Sequence, residues 1–417
     1  MTNTAILAAS GLLLFAYALE RIGRRFRLPA VVLLIVAGLV VRQVLDALGL
    51  HYRWVDPIVP IIGTLGLILI VLEGALDLTV TRERLPLIAA SAASSALGFV
   101  ATLAGFALMF RYLLGLPTAA AILAAIPFAV ISSAVAIPSA AGLPAQPREF
   151  VVYESSLSDI LGVLVFYSWL AAEGSIDVFA LDLVGGGAVS LAVAVVAAVV
   201  LYYFVTQIVG HVRFLPLLAG LVFLYAIGKE LHLSPLIVVL VCGLLINNPH
   251  LLHWHAGLRA LHDEDYGNTL SEFKGLVAEL TFATKSFFFL LLGYWTDVQT
   301  MLSVRAWLIA AAGIALVLAS RWLILRALRQ PAAEALVWIA PRGLITVLLF
   351  LAARDTGRIE GFPFGAVMLI VLGTATLTAL AHRGATHVAT AADAPAPSAP
   401  APGDAAAAAP TGTPGKT

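Results

Sequence analysis

Two carboxylates stand five residues apart inside an apolar run, FVVYESSLSDILGVLVFYSW, residues 150–169. Glu154 and Asp159 are accompanied by Ser155, Ser156 and Ser158. A charged side chain in hydrocarbon is costly, so such groups persist where they meet a partner charge, a wet cavity or an ion path. On a helix, five residues correspond to a rotation of about 500°, which points the two carboxylates about 140° apart. One site will not hold both, and two jobs are expected. Asp159, at mid-span with two serines nearby, is the candidate for binding a proton and a monovalent cation by turns, because desolvation disfavours a permanent charge. Ser156 and Ser158 would add oxygen ligands. Glu154 is the candidate for a structural ion pair. Arg321, deep in LVLASRWLILRAL, needs a counter-charge, and breaking such a pair would strand one ion.

Two further stretches carry backbone chemistry. ISSAVAIPSAAG (131–142) contains Pro138, which has no N–H and frees the carbonyl four residues earlier. Ser132 and Ser133 add hydroxyls one turn before it. APRG (340–343) contains Pro341 and Gly343, which loosen a second helix, and Arg342, whose charge would balance helix dipoles there. Free carbonyls and hydroxyls are hard oxygen ligands for Na⁺, Li⁺ or K⁺, and those cations held at Asp159 are the metals expected. Lys285 lies mid-span without an obvious counter-charge. Its role is left open.

These residues need a membrane around them. The chain has 417 residues, 61% hydrophobic and only 12% charged, against about 25% charged in soluble domains. The balanced formal charge gives no reason to expect a nucleic-acid partner. A lone cysteine, Cys242, leaves no internal disulfide and reads as a small apolar residue. The first apolar run precedes its arginines, the reverse of a signal peptide, so a retained span is expected. About thirteen runs are apolar enough for spans, which predicts an all-α polytopic membrane protein. Lys and Arg fall twice as often on one set of loops as on the other. That places the N-terminus outside and the C-terminus in the cytoplasm of a bacterial plasma membrane. The Ala/Pro-rich stretch 385–417 is expected to be disordered, leaving 1–384 as the transmembrane unit.

Spans four to six and eleven to thirteen form two triplets, each with its break in the middle helix. An odd number of spans separates them, so the second triplet lies inverted, as in secondary transporters whose sites form where the breaks meet. Other features read more plainly. His250, His253, His255 and His262 lie on a polar loop and read as solvated side chains, since metal sites need converging ligands. Glu73 and Asp77 read as caps near a span end, and Lys229 with Glu230 as a surface pair. There is no nucleotide loop, no HExxH and no GxSxG, and no organic cofactor is implied.

ESSLSD (154–159) resembles the acidic signature E-S-x-L-N-D of the monovalent cation/proton antiporter superfamily, sodium/proton exchangers included. APRGLITVLLFLA (340–352) is similar to that family's P-R-G helix. LEGALDL (72–78), RFRLPAVVLLIVAGLVV (25–41) and KSFFFLLLG (285–293) resemble its patterns in the same order, across about residues 20–380. The resemblance implies a homodimer in the bilayer, exchanging protons for a cation. In it, a mobile core (86–172 and 306–382) surrounds two crossed, unwound helices and moves against a scaffold (4–76 and 178–296). It also implies that Asp159 is the ion-binding aspartate and that Glu154 and Arg321 are the structural pair. Three departures stand out. Ser132-Ser133 replaces a frequent Thr-Asp, Ser158 replaces Asn or Asp, and Lys285 stands where a neutral or acidic residue is usual. Sodium or lithium exchange is the first reading, and electroneutral exchange is expected because Ser158 cannot titrate. A potassium/proton antiporter or a passive channel on the same fold remains open, as does a membrane enzyme using Asp159 and Glu154 as acid and base. The last lacks a second catalytic constellation at that depth.

Overall fold

The computed structural model describes residues 2–26, 29–49, 58–207, 214–230, 235–252, 266–359 and 361–392. The described residues form helices, with no strand among them. These are α1 (Thr2–Phe26), α2 (Ala30–Ala47), α3 (Ile58–Asp77), α4 (Leu85–Leu114), α5 (Thr118–Ala129), α6 (Ser133–Ser139), α7 (Ala145–Ala171), α8 (Ile176–Leu181) and α9 (Gly187–Gln207). There follow α10 (Phe214–Glu230), α11 (Pro235–Asn247), α12 (Tyr266–Trp295), α13 (Val298–Met301), α14 (Val304–Ala327), α15 (Ala333–Leu336), α16 (Leu344–Asp355) and α17 (Phe364–Ala392). A π turn, Asp182–Gly186, joins α8 to α9. Among the described residues, seven helices are long and apolar enough to cross a bilayer, and 235–247 and 364–380 are shorter apolar helices. Helices suit such surroundings because they satisfy their own backbone N–H and C=O groups. The outer faces of α4 and α14 present Leu97, Val100, Leu108, Trp307, Leu308, Trp322 and Leu323, an apolar belt that fits lipid rather than water.

The broken α5–α6 segment lies at the centre: 83% of its apolar window is buried, against 22% for α2. Helices α4, α5, α6 and α7 pack together, and α14 packs on both α4 and α17. A second group joins α2 and α3 to α12, α3 to α11, and α9 to α11. The α2–α12 contact is close because Gly38 and Gly293 face each other's backbones. A Cβ on Gly38 would strike the Leu290 carbonyl, and one on Gly293 would strike that of Ile35. The rings of Phe106, Phe110, Phe128, Phe350 and Phe362 pack beside the breaks with centroids 4.9–6.3 Å apart.

Two boundaries differ from those read off the sequence. The first break lies at 130–132, ahead of Pro138, which sits inside α6. Pro127, inside α5, is the proline one turn before that break. The interruption persists because the breaks themselves supply partners, as described below. The second difference is at the end: α17 runs to Ala392, eight residues beyond the expected limit at 384. Residues 393–417 lie outside the described residues, as do His253, His255 and His262.

Candidate functional site

Each break is pinned by a hydroxyl from the helix that follows it. Ile131 N–H donates to Ser158 Oγ of α7 at 2.9 Å, and Arg342 N–H donates to Thr374 Oγ1 of α17 at 2.9 Å. The sequence separations, 27 and 32 residues, are alike, and the two triplets use the same device. Between the triplets' leading helices, Thr102 of α4 and Ser320 of α14 share a hydrogen bond of 2.9 Å. The breaks meet directly, since Ser132 N–H donates to the Pro341 carbonyl at 2.9 Å. Gly343 allows this approach. A Cβ there would lie against Ser132 Oγ and 2.8 Å from Ser132 Cβ. Two crossed, interrupted helices from an inverted repeat are therefore joined through their own backbones.

Asp159 of α7 packs against the start of α6. Its Oδ2 accepts from Ser133 Oγ at 2.5 Å and from Ser133 N–H at 3.3 Å. A helix N-terminus has unpaired N–H groups and the positive end of the peptide dipoles, so a carboxylate is favoured there. Asp159 Oδ1 is buried and has no hydrogen-bond partner among the described residues. Ser156 Oγ, one turn back on α7, is likewise buried and unpartnered, and it faces Gly74 of α3. Ser158 serves the break, and Ser132 lies against Gly343. Of the four serines singled out by sequence, Ser133 is thus the one bonded to Asp159.

Glu154 and Arg321 are brought together across α7 and α14. Arg321 Nη1 and Nη2 donate to Glu154 Oε1 and Oε2 at 2.9 and 2.8 Å, a bidentate pair. Ser94 Oγ donates to Glu154 Oε1 at 2.6 Å, and Arg321 Nε donates to the Leu336 carbonyl at 2.7 Å. Both charged side chains are buried, so their mutual satisfaction matters. Ser94 escaped the sequence reading. Its only signal was a hydroxyl in the small-residue run SAASSALG of an apolar span.

Arg342 is 1% exposed. Its Nε donates to the Phe128 carbonyl at 2.6 Å, at the C-terminal end of α5, where the helix dipole is negative. Its Nη1 donates to the Ala340 carbonyl at 3.1 Å. The crossing therefore pairs a carboxylate with the N-terminus of α6 and a guanidinium with the C-terminus of α5.

Lys285 of α12 has an acid within electrostatic reach after all: Glu73 of α3, which was read from sequence as a cap. Glu73 is half-buried, while Asp77, at the end of α3, is exposed. Packing of α3 on α12 creates this proximity, across more than two hundred residues of chain. His250 Nε2 bonds the Val80 carbonyl at 2.8 Å, which gives that histidine a structural role. No cluster of three or more His, Cys, Asp or Glu suited to a metal occurs among the described residues.

Two inverted triplets crossing at their breaks, with a buried carboxylate at one half-helix, define a secondary transporter. The model of the sodium/hydrogen exchanger transmembrane family matches residues 10–383. Two solved structures of the sodium proton antiporter MjNhaP1 from Methanocaldococcus jannaschii share the fold. One, at pH 8, has 18% identity and a TM-score of 0.70, covering 93% of this chain and 98% of that one. The other, from an electron-microscopy map, has 20% identity and a TM-score of 0.72, covering 95% and 100%. No curated protein matches the sequence. The chain belongs to the sodium/hydrogen exchanger family, an integral multi-pass membrane protein whose class of activity is cation/proton antiport.

Proposed function

We propose that the chain exchanges one proton for one Na⁺ or Li⁺ across a plasma membrane, with Asp159 carrying the two by turns. The observation that carries this reading is the state of the Asp159 carboxyl: one oxygen is fixed by Ser133 at the α6 N-terminus, and the other is buried without a partner. A proton on that oxygen, or a cation beside it and Ser156 Oγ, would satisfy a group that is costly to leave bare. Binding either one removes the same charge from the crossing, which makes the two mutually exclusive.

One-for-one stoichiometry is favoured by the other charges. Ser158 does not titrate, Glu154 is held by an arginine that keeps its proton, and Lys285 has Glu73 within electrostatic reach. We place thirteen crossings in the chain, with helices 86–172 and 306–382 moving as a core against 4–76 and 178–296, and the two packing groups support that division. We place the N-terminus outside, the C-terminus in the cytoplasm, and two copies in a homodimer.

The test is transport by inverted membrane vesicles loaded with a pH dye and challenged with Na⁺, Li⁺ and K⁺ in turn. Na⁺ and Li⁺ should each drive proton movement, and K⁺ should drive little. A response to K⁺ alone would make it a potassium/proton antiporter. Cation flux with no pH response would make it a channel.

A further inference from the structure

Beside Arg342, on the side of the crossing formed by α4 and α14, there is a small cavity. Its lining includes Ser94, Thr102, Arg321 and Arg342 together with Gly98, Ile324 and other apolar residues, and Asp159 is not part of it. About 20 Å³ is open to the centre of a water-sized group, above the roughly 10–15 Å³ needed to hold one. That is room for a single small ion and too little for a phosphate or a lipid headgroup.

The charges around this cavity do not balance. Arg321 and Glu154 neutralise each other in a bidentate pair, and Ser94 bonds the same carboxylate. Arg342 gives Nε to Phe128 and Nη1 to Ala340, both backbone carbonyls, and it has no carboxylate within ion-pair distance among the described residues. These two bonds take up two of the five guanidinium N–H groups. The C-terminus of α5 offsets only about half a unit charge, and an uncompensated buried ion is expensive. A water molecule would satisfy the N–H groups and leave the charge. A small anion would answer both needs.

We propose that the α4–α14 cavity binds a small monovalent inorganic anion of the chloride class as the counter-ion of Arg342. The site is separate from the cation path and loads whether or not the chain transports.

The test is anion-dependent unfolding of the purified full chain in detergent. Sodium gluconate is exchanged for sodium chloride at constant Na⁺ and ionic strength. Chloride should raise the unfolding midpoint by a few degrees and saturate, as expected for a ligand of the folded state. Bromide should act alike, and sulfate at matched ionic strength should not. Gly98→Leu fills the cavity from α4, where an added Cβ meets open space. It should fold and lose the chloride response. Ile324→Phe fills it from α14 and serves if Gly98→Leu does not fold. Equal midpoints in chloride and gluconate would overturn the proposal. So would a chloride response that survives cavity filling, which would place the anion elsewhere.

Discussion

Asp159 is set apart from Glu154 by what its second oxygen does. Both Glu154 oxygens are taken by Arg321, while Asp159 keeps one unpaired. Asp159→Asn should therefore abolish exchange while leaving the protein folded and inserted, since an amide still accepts from Ser133 but cannot carry a charge. Substantial Na⁺-driven proton movement by the Asn variant would remove Asp159 from the mechanism. The Glu154–Arg321 pair makes a different kind of prediction. Removing either partner strands a buried charge, and each single change to Ala should lower stability by about 3–5 kcal/mol. The double variant should fall short of the sum by about 1–3 kcal/mol. Additive losses in thermal unfolding would mean the pair contributes nothing as a pair.

At the scale of elements, the crossing depends on a close backbone approach. Ser132 N–H reaches the Pro341 carbonyl only because Gly343 presents no side chain to Ser132. Gly343→Ala should cost about 1–3 kcal/mol, the range for overpacking, and should slow transport. Gly275→Ala on α12 is the matched control, because its added methyl meets open space. Unfolding midpoints of the two variants that coincide would show that the breaks tolerate separation. Chain order made the breaks visible as Pro, Gly and Ser in apolar runs. Their position was less visible: Pro138 marked a neighbouring turn, and the interruption fell where Ser158 and Pro341 offered partners to Ile131 and Ser132. A proline removes one donor, but what fixes an irregular segment in a span is who receives the remaining N–H groups.

For the whole molecule, charge movement is the sharpest question. With Asp159 the single titrating carrier, an imposed membrane potential without a pH gradient should not drive Na⁺ uptake into proteoliposomes. If a potassium–valinomycin potential does drive it, with K⁺ shown not to be a substrate, a second carrier exists, and Lys285 opposite Glu73 is the group to change next. The segment beyond α17 has no apolar pattern with which to dock. Ending the chain after Ala392 should leave vesicle transport within about twofold of the full chain, and loss of activity with normal insertion would assign that segment a regulatory or assembly role.

Composition alone determined that this chain lives in a membrane, because so few charges over so many apolar residues cannot be reconciled with a soluble core. The periodicity of spans and the two matching breaks determined an all-helical transporter with an inverted repeat. The need of Arg321 for a counter-charge, and the unusual cost of Asp159 at mid-span, could also be read from local context. What only the tertiary structure decided were the meetings across long stretches of chain. These are Ser94 completing the Glu154–Arg321 pair, Thr374 answering Arg342 as Ser158 answers Ile131, and Glu73 turning from a supposed cap into the neighbour of Lys285. Hydroxyls and carboxylates in apolar runs announce that they need partners. Which partner each one finds depends on helix packing, and no spacing along the chain encodes that.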